Sequence, residues 1–415
     1  MYEELKNSDY EVYLALNKEF TRESENIELI ASENFASKNV LMVQGSILTN
    51  KYAEGYPSKR YYGGCEYIDQ IENLAIERCK KLFGAKFANV QPHSGSSANM
   101  AAIRSLINLG DTILGMSLDA GGHLSHGYKL SFSGKDYKSY SYGVDVNSGF
   151  IDYEEVYKIA KEVKPKLIIC GASAYPRKIS FKKFSEIAKS VGAYLMADIA
   201  HIAGLCATGY HENPLPYCDI VTSTTHKTLR GPRGGLIMTN DEEIAKKVNK
   251  NVFPGIQGGP LMHVIGAKAV MFKEDLEDSY KEYIHQVILN TKAMCDEFIK
   301  LGYKLVSGGS DNHLLLIDVK SSVNMSGKEV EKLLEKVNIT LNKNTIPGDT
   351  LPPLESSGVR IGSPAMTSRG FKEKEFIEVT RLIDKAIKNK DDEIKLKNIK
   401  EEVISLVKAF PMFNR

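Results

Sequence analysis

A lysine lies among hydroxyl and basic side chains in the segment DIVTSTTHKTLRGPRGG, residues 219–235. Lys227 follows an apolar, β-branched run that is typical of the end of a strand. A lysine amine is nucleophilic only when its pKa is depressed, and Arg230, Arg233 or a protonated His226 would depress it. The neighbouring hydroxyls and loop amides would bind a phosphate. The segment therefore predicts a covalent site at Lys227; the alternative is an ordinary solvated lysine.

A second segment, HSGSSAN at residues 93–99, joins a short strand to an apolar helix that we expect to end at Gly110. Ser94, Gly95 and Ser96 lie where free backbone amides and the positive end of a helix meet, which favours an anion site. The alternative is a capping serine beside a flexible glycine. The segment lacks the GxxxxGK[ST] and GxGxxG patterns, so nucleotide binding is disfavoured. A covalent lysine together with a phosphate site is what pyridoxal phosphate requires.

Alternating strands and helices predict how these residues are brought together. The apolar runs 166–170 and 193–197 read as buried strands, and the helix 181–190 between them completes a β-α-β unit. A further strand at 236–239 would be antiparallel. Ligands bind at the carboxyl ends of parallel strands. The polar residues that follow predicted strands are Ser173, Asp198, His201 and Lys227.

Two other loops have compositions that suit binding. Residues 48–69 include five tyrosines and Glu54, and a surface Ω-loop and a binding loop explain this composition equally well. His123 and His126 have a spacing that metal ligands can use, but no carboxylate pattern accompanies them, which disfavours zinc. A histidine after two glycines at a strand end is better placed to lie against a flat ligand.

Composition sets broad limits on the class of protein. With 415 residues, 42% apolar and 26% charged, the chain has the size and composition of a two-domain globular protein. A net charge of +2 gives no electrostatic reason to expect nucleic acid or an anionic membrane as partner. No run reaches the roughly 18 apolar residues of a membrane span. The six scattered cysteines predict thiols in a reducing compartment, and we expect a cytoplasmic protein without a bound metal.

We expect three parts along the chain. Residues 1–50 would form a mainly helical N-terminal arm that contacts a partner subunit, and residues 51–280 a large binding domain. Residues 281–415 would form a small α+β domain, reached through a long helical region at 261–301 and ending in an amphipathic helical tail from residue 372.

Nine sequence runs resemble serine hydroxymethyltransferases, and they occur in the family's order over most of the chain. The runs are IELIASEN, LTNKYAEGYPSKRYYGGCEYID, NVQPHSGSSANMA, GGHLSHG, ADIAHIAGL, STTHKTLRGPRGG, VFPGIQGGP, NKNTIP and SGVRIGSPA. The resemblance implies an α/β, aspartate-aminotransferase-like fold with a mainly parallel seven-stranded sheet and a smaller C-terminal domain. It also implies a homodimer with shared active sites, which transfers the serine hydroxymethyl carbon reversibly to the co-substrate tetrahydrofolate. The products would be glycine and 5,10-methylenetetrahydrofolate.

The resemblance further implies roles for individual residues. Lys227 would hold pyridoxal phosphate covalently, Asp198 would pair with its pyridine nitrogen, and His123 would stack on its ring. The implied catalytic residues are Lys227, Glu54, Asp198 and His226. The other implied cofactor ligands are Ser94, Gly95, Ser96, Ser173, His201, Thr224 and Arg233, with Tyr52, Gly258 and Gly259 reaching the neighbouring subunit's cofactor. The implied substrate ligands are Ser32, Glu54, Tyr62 and Arg360. The implied folate ligands are Leu118, Gly122, His123, Leu124, Asn344, Pro352, Pro353 and Leu354.

The sequence departs from the family pattern at a few positions and leaves two rival hypotheses. Ser97 replaces a common glutamine, Ala120 replaces a common histidine, and residues 352–354 read Pro-Pro-Leu where Ser-Pro-Phe is common. One rival is a pyridoxal-phosphate aldolase that cleaves β-hydroxy amino acids without folate. The other is a non-catalytic regulatory or RNA-binding protein on the same scaffold, which the near-zero charge and the intact Lys227, Asp198 and Arg360 oppose.

Overall fold

The computed structural model describes residues 4–413; the first three residues of the predicted arm and the last two of the predicted tail lie outside the described residues. The strands are β1 (Ile27–Glu28), β2 (Gly55–Tyr56), β3 (Lys59–Arg60), β4 (Phe87–Asn89), β5 (Thr112–Met116), β6 (Lys138–Tyr142), β7 (Leu167–Cys170), β8 (Tyr194–Asp198), β9 (Ile220–Thr224), β10 (Gly235–Thr239), β11 (Lys304–Leu305), β12 (Leu314–Asp318), β13 (Ile339–Thr340), β14 (Asn342–Asn344) and β15 (Gly358–Gly362).

Helices connect and cover these strands. They are α1 (Leu5–Ser8), α2 (Tyr10–Ser24), α3 (Lys38–Gln44), α4 (Glu66–Phe83), α5 (Gly95–Leu106), α6 (Phe132–Asp136), α7 (Tyr153–Val163), α8 (Phe181–Val191), α9 (Ala203–Thr208), α10 (Glu242–Lys250), α11 (Met262–Asp275), α12 (Asp278–Lys300), α13 (Val319–Val323), α14 (Gly327–Glu335), α15 (Pro364–Ser368), α16 (Glu373–Lys388) and α17 (Glu393–Lys408). None of the helices between residues 4 and 413 has the length and apolar composition needed to cross a membrane.

A seven-stranded sheet organises the first two thirds of the chain, in the order β4-β10-β9-β8-β7-β5-β6. Strands β5 to β9 run parallel to one another, and β10 is antiparallel to both β4 and β9. Alternate residues of one strand face two different hydrophobic clusters: Ile168 and Cys170 of β7 face one, and Leu167 and Ile169 face the other. Because side chains alternate across a strand, a continuous apolar run marks a sheet covered on both faces.

Local sequence signals explain where several helices begin and end. The Ser180 hydroxyl accepts a hydrogen bond from the Lys183 amide at the start of α8, and Gly192 ends that helix with a φ of 68°. The prediction that Gly110 ends α5 is wrong. That helix ends at Leu106, because Ile107 adopts an extended backbone, and the Gly110 amide donates instead to the carbonyl of Asp136.

A second unit surrounds a four-stranded sheet of order β11-β12-β15-β14. Its hydrophobic cluster includes buried residues of α12, α14, α16 and α17. Strand β1 pairs in parallel with β13, so part of the predicted N-terminal arm packs within this unit. Helix α12 spans both units, because Ile284 and Val287 lie in the first cluster whereas Met294 and Phe298 lie in the second. A domain boundary near residue 280 stays a prediction.

We predict that Phe298→Ala destabilises the second unit. The Phe298 ring is 0% exposed and packs edge-to-face on Tyr303, with 5.3 Å between ring centroids. Removing a buried phenylalanine side chain costs about 3–5 kcal/mol of unfolding free energy. Denaturant unfolding monitored by circular dichroism measures the loss. Ile299→Ala is the control, since Ile299 on the same helix is 50% exposed. An equal loss in both variants would contradict the assignment of Phe298 to the core.

Candidate active site

Lys227 lies three residues after β9, at the carboxyl edge of the large sheet, and is only 8% exposed. The Asn34 amide holds its backbone, donating to the Lys227 carbonyl at 2.9 Å and to the Tyr283 hydroxyl at 2.8 Å. Burial lowers the pKa of Lys227 to about 8; the Asp198 carboxylate opposes this shift, whereas Arg360 and Arg233 add to it. A substantial neutral fraction near neutral pH makes this amine a competent nucleophile.

Asp198 is the last residue of β8 and is 8% exposed. Its Oδ2 atom accepts a hydrogen bond from Asn99 Nδ2 at 2.8 Å and lies 3.0 Å from His126 Nε2, while Oδ1 accepts from the Ala200 amide at 3.0 Å. Burial alone would raise the pKa of Asp198, but His126, His123 and Asn99 together hold it below its ordinary value. The edge of the sheet therefore offers a buried, ionised carboxylate.

His123 lies beside this carboxylate, on the wall of a cavity. Burial, with a further effect of His126, lowers the pKa of His123 to about 4, so the ring is neutral at physiological pH. Ligand atoms of His123, His126 and Asp198 lie within 4.8 Å of one another, close enough to share a cation. The absence of a bound metal thus stays a prediction from sequence.

The first turn of α5 forms a candidate anion cradle. The amides of its first turn have no acceptor within the helix, because intrahelical bonds begin only one turn later. Ser94 and Ser97 cap each other here: the Ser94 hydroxyl accepts from the Ser97 amide at 3.2 Å, and the Ser97 hydroxyl accepts from the Ser94 amide at 2.9 Å. A Cβ at Gly95 would lie 2.6 Å from Thr224 Cγ2, so glycine allows the close approach of this turn to β9.

Lys268 supports this cradle, and the analysis of the sequence missed it. The Lys268 side chain is fully buried, and its ammonium donates to the carbonyls of Val90, Pro92 and Gly235 at 2.6, 3.1 and 2.7 Å. These carbonyls belong to the chain that enters the cradle and to the adjacent start of β10. A lysine inside the apolar run MHVIGAKAVMF was the signal available, because such a charge must find buried acceptors.

Arg360 reaches the site from β15 of the second unit. Its Nη1 atom donates to the Ser173 carbonyl at 2.7 Å and its Nε atom donates to Asn342 Oδ1 at 3.1 Å. Burial lowers the pKa of Arg360 to about 10. Among residues 4–413 no carboxylate forms an ion pair with it. A half-buried guanidinium bonded only to neutral oxygens is suited to receive an anion.

A cavity of about 640 Å³ lies between the two units; His123 and Arg360 line it, whereas Lys227 and Asp198 are not part of its lining. The predicted site residues that line it are Leu118, Gly122, His123, Ser173, Asn344, Pro353 and Arg360. Leu124, Pro352 and Leu354 are not part of its lining; Leu354 is 77% exposed and Leu124 is 50% exposed. The structure therefore gathers part of the predicted folate set around one cavity and places the rest on the surface.

Tyr52, Glu54, Tyr62, Gly258 and Gly259 form a separate cluster that does not line the cavity. The rings of Tyr52 and Tyr62 meet edge-to-face at 5.3 Å. A Cβ at Gly259 would lie 3.2 Å from the Tyr52 ring, and one at Gly258 would lie 3.2 Å from Glu54 Oε1. Within this chain, these predicted site residues therefore contact each other and do not line the cavity.

Buried charges hold the backbone of that cluster in place. Arg60 Nη1 donates to the carbonyls of Ala53 and Gly55, on either side of Glu54, at 2.9 and 3.0 Å. Its Nη2 atom donates to Glu72 at 2.6 Å, and the Glu72 side chain is only 1% exposed. The sequence analysis missed this pair, because nothing local indicates that Arg60 turns inward.

The remaining predicted residues lie around the lysine. Ser32 is half-buried two residues before Asn34, and Thr224 is buried at the end of β9. His226 is half-buried, and its burial, together with Lys227 and Arg233, lowers its pKa to about 3; the Arg233 side chain itself is exposed. His201 is buried, and its Nδ1 atom lies 3.2 Å from Nε2 of His313, a residue that the sequence analysis did not select.

Comparison with known proteins identifies the family. The family model for serine hydroxymethyltransferase matches residues 5–383. The chain belongs to this family. A curated serine hydroxymethyltransferase from Mycoplasma mobile is 60% identical over 407 residues, which cover 97% of each chain. Membership confirms the predicted fold class, an α/β pyridoxal-phosphate-dependent transferase with a mostly parallel seven-stranded sheet and a C-terminal domain.

We predict that Lys227 in the cofactor-free protein reacts with acetic anhydride once the pH rises through about 8. Its lowered pKa means that the neutral, reactive amine appears above that value, whereas a solvated lysine needs a more alkaline pH. Mass spectrometry of peptides acetylated at a series of pH values measures this. Lys246 serves as the internal control, because its hydrogen bonds with Glu243 and Glu242 raise its pKa. Parallel pH profiles for the two lysines would contradict the prediction.

Proposed function

We propose that the sheet-edge site performs the family's reaction, with Lys227, Asp198 and Arg360 as its central groups. As a serine hydroxymethyltransferase, the chain transfers the hydroxymethyl carbon of serine reversibly to tetrahydrofolate, giving glycine and 5,10-methylenetetrahydrofolate. The observation that supports this placement most strongly is the half-buried Arg360 guanidinium, which lacks a carboxylate partner among the described residues and faces the cavity beside the large sheet.

The residues at the sheet edge fit pyridoxal phosphate. A buried amine with a lowered pKa, an ionised carboxylate at a neighbouring strand end and an anion cradle at the start of α5 are the three features that this cofactor needs. When bound, the cofactor supplies an electron-accepting ring that stabilises a carbanion at the amino-acid Cα atom. We propose that Lys227 holds it through Nζ and that the first turn of α5 holds its phosphate.

Asp198 and His123 would act on the cofactor ring. The Asp198 carboxylate stays ionised although it is buried, so it would hold a proton on the pyridine nitrogen and keep the ring electron-poor. His126 and Asn99 orient that carboxylate through its Oδ2 atom. His123, neutral and on the cavity wall, would lie against the ring face without adding a charge to it.

Arg360 would bind the amino-acid carboxylate, assisted by Ser32. A guanidinium forms two parallel hydrogen bonds with a carboxylate. These bonds strengthen substrate binding and also hold the Cα atom of the amino acid in one position. Asn342 and the Ser173 carbonyl hold the guanidinium before substrate arrives, at 3.1 and 2.7 Å. Since Arg360 belongs to the second unit and Lys227 to the first, a bound amino acid would bridge them.

The cavity of about 640 Å³ would admit the folate ring system, which Leu118, Gly122 and Asn344 would contact. We propose that Glu54 and Tyr62 enter this site from a second subunit of a homodimer, with Glu54 moving protons at the hydroxymethyl group or the folate nitrogens. Their separation from the cavity within one protomer supports this arrangement. Tyr52, Gly258 and Gly259 would contact the same neighbouring cofactor phosphate.

We further propose the division 1–50, 51–280 and 281–415 for the arm, the large domain and the small domain. The six cysteines are buried free thiols, which supports a reducing, cytoplasmic location.

An assay of serine cleavage with and without tetrahydrofolate tests the function. We expect rapid conversion of serine and formation of 5,10-methylenetetrahydrofolate only when both serine and tetrahydrofolate are present, because the transfer needs both a donor and an acceptor of the one-carbon group. The rival aldolase would cleave threonine without folate. If folate-independent cleavage of threonine is faster than folate-dependent conversion of serine, the protein is the aldolase and the proposed function is wrong.

We predict that Arg360→Lys raises the KM for serine at least about tenfold, because a charged hydrogen bond contributes roughly 1.5–3 kcal/mol and lysine cannot reproduce the bidentate geometry. Cofactor absorbance and the unfolding midpoint should stay close to those of the unmodified enzyme. Steady-state kinetics and thermal denaturation measure these quantities.

Arg177→Lys is the matched control for this variant, because Arg177 also joins the two units, through Asp311 at 2.9 Å, but does not line the cavity. A normal KM for serine in Arg360→Lys would show that the carboxylate binds elsewhere. An equal rise in both variants would instead indicate a general loss of contact between the units.

A further inference from the structure

Two buried histidines meet at the boundary between the two units. His201 follows β8 of the large sheet, and His313 directly precedes β12 of the second unit. His201 Nδ1 and His313 Nε2 are 3.2 Å apart, and the two residues are 4% and 0% exposed. A hydrogen bond between two imidazole nitrogens needs one N–H group and one lone pair. One ring must therefore donate to the other.

Both rings are neutral. Burial lowers the pKa of His313 to about 3, with added effects of Arg360 and Lys227, and it lowers the pKa of His201 well below its ordinary value. The charged and titratable groups that act on the pair are Lys227, Arg360 and His123. Since each neutral ring has one proton, either His313 donates and His201 accepts, or the reverse.

The surroundings of His313 select the first arrangement. Its Nδ1 atom is buried and has no hydrogen-bond partner among the described residues. If the proton were on Nδ1, a buried donor would be left unpaired, whereas a proton on Nε2 leaves only a lone pair there and uses the N–H in the bond to His201. His201 Nδ1 is then the acceptor, and the proton of His201 must lie on Nε2.

We propose that His313 is a positioning residue that fixes His201 as the Nε2–H tautomer, so that His201 presents a hydrogen-bond donor to the ring oxygen of the cofactor. The role of His201 rests on the function proposed above; the tautomer itself does not. The ionised oxygen of the cofactor ring accepts hydrogen bonds, so a lone pair on His201 Nε2 would repel it. Without His313, the His201 proton is free to move to Nδ1.

The same sheet that positions His313 also positions Arg360. Strand β12 begins at Leu314, directly after His313, and pairs with β15, where Leu316 lies opposite Arg360. The His313 carbonyl also accepts a hydrogen bond from the Ser363 amide, just after β15. One rigid sheet edge therefore sets both the carboxylate-binding guanidinium and the tautomer of a histidine in the other unit.

The tautomer is measurable in the cofactor-free, full-length protein by NMR with ¹⁵N-labelled histidine. We expect His201 Nδ1 to resonate as an unprotonated nitrogen and Nε2 as a protonated one. Three variants complete the design. His313→Leu removes the donor, His313→Gln keeps an amide N–H near the position of Nε2, and His285→Gln makes the same change at an exposed histidine.

We expect His313→Leu to shift the His201 proton toward Nδ1 and to raise the dissociation constant of pyridoxal phosphate about tenfold. His313→Gln should restore most of both properties, and His285→Gln should alter neither. The proposal is wrong if Nδ1 of His201 is protonated in the unmodified protein. It is also wrong if Leu and Gln at position 313 weaken cofactor binding equally while the His201 tautomer stays unchanged, since His313 would then act by packing alone.

The NMR result separates this inference from the proposed function. An Nε2–H tautomer in a protein without serine hydroxymethyltransferase activity would contradict the function and leave the positioning role intact. An active enzyme with the other tautomer would contradict only the positioning role.

Discussion

The site depends on two cations, the buried Lys227 and the half-buried Arg360, which one buried carboxylate cannot both neutralise. Lys227 and Arg360 both lose hydration, and the burial of each lowers its pKa, whereas Asp198 stays ionised beside His126 and Asn99. Burial of an unpaired charge is expensive unless a ligand or a set of dipoles compensates it. The Ser173 carbonyl oxygen and the Asn342 amide oxygen accept hydrogen bonds from the Arg360 guanidinium. This excess positive charge would favour the binding of anionic groups, which in the function proposed above are the carboxylate of the amino acid and the phosphate of the cofactor.

The sheet and several of the site residues were predictable from sequence because their signals are local. The continuous apolar runs of β7 and β8 identify strands that are buried on both faces, and polar residues directly after such strands must meet at one edge. Asp198 and Lys227 were selected in this way, and both lie at that edge of the sheet, while their functional roles stay predictions. The end of α5 was missed because Ile107 leaves the helix without a glycine, and no local residue signals that change.

Residues that act through distant partners gave no comparable signal. Lys268 bonds with carbonyls more than thirty positions away in the chain, and His313 bonds with His201 across 112 positions. Each becomes meaningful only when the fold brings its partner close. The position of Glu54 was also not predictable from local sequence. Arg60, paired with Glu72, binds the carbonyls on either side of Glu54, and no local sequence pattern indicates these contacts.

These contacts show which of the site residues each of the two units positions. The large sheet positions Lys227 and Asp198, which we propose bind the cofactor, and the small sheet positions Arg360 and His313 on or beside neighbouring strands. Helix α12 packs into both hydrophobic clusters, so one continuous helix joins the cores beside the two sheets. A change in the angle between the units would move the guanidinium away from Lys227 and His313 away from His201 together. If Arg360 and His201 have the roles proposed above, substrate binding and the hydrogen bonding of the cofactor ring would be coupled through this boundary.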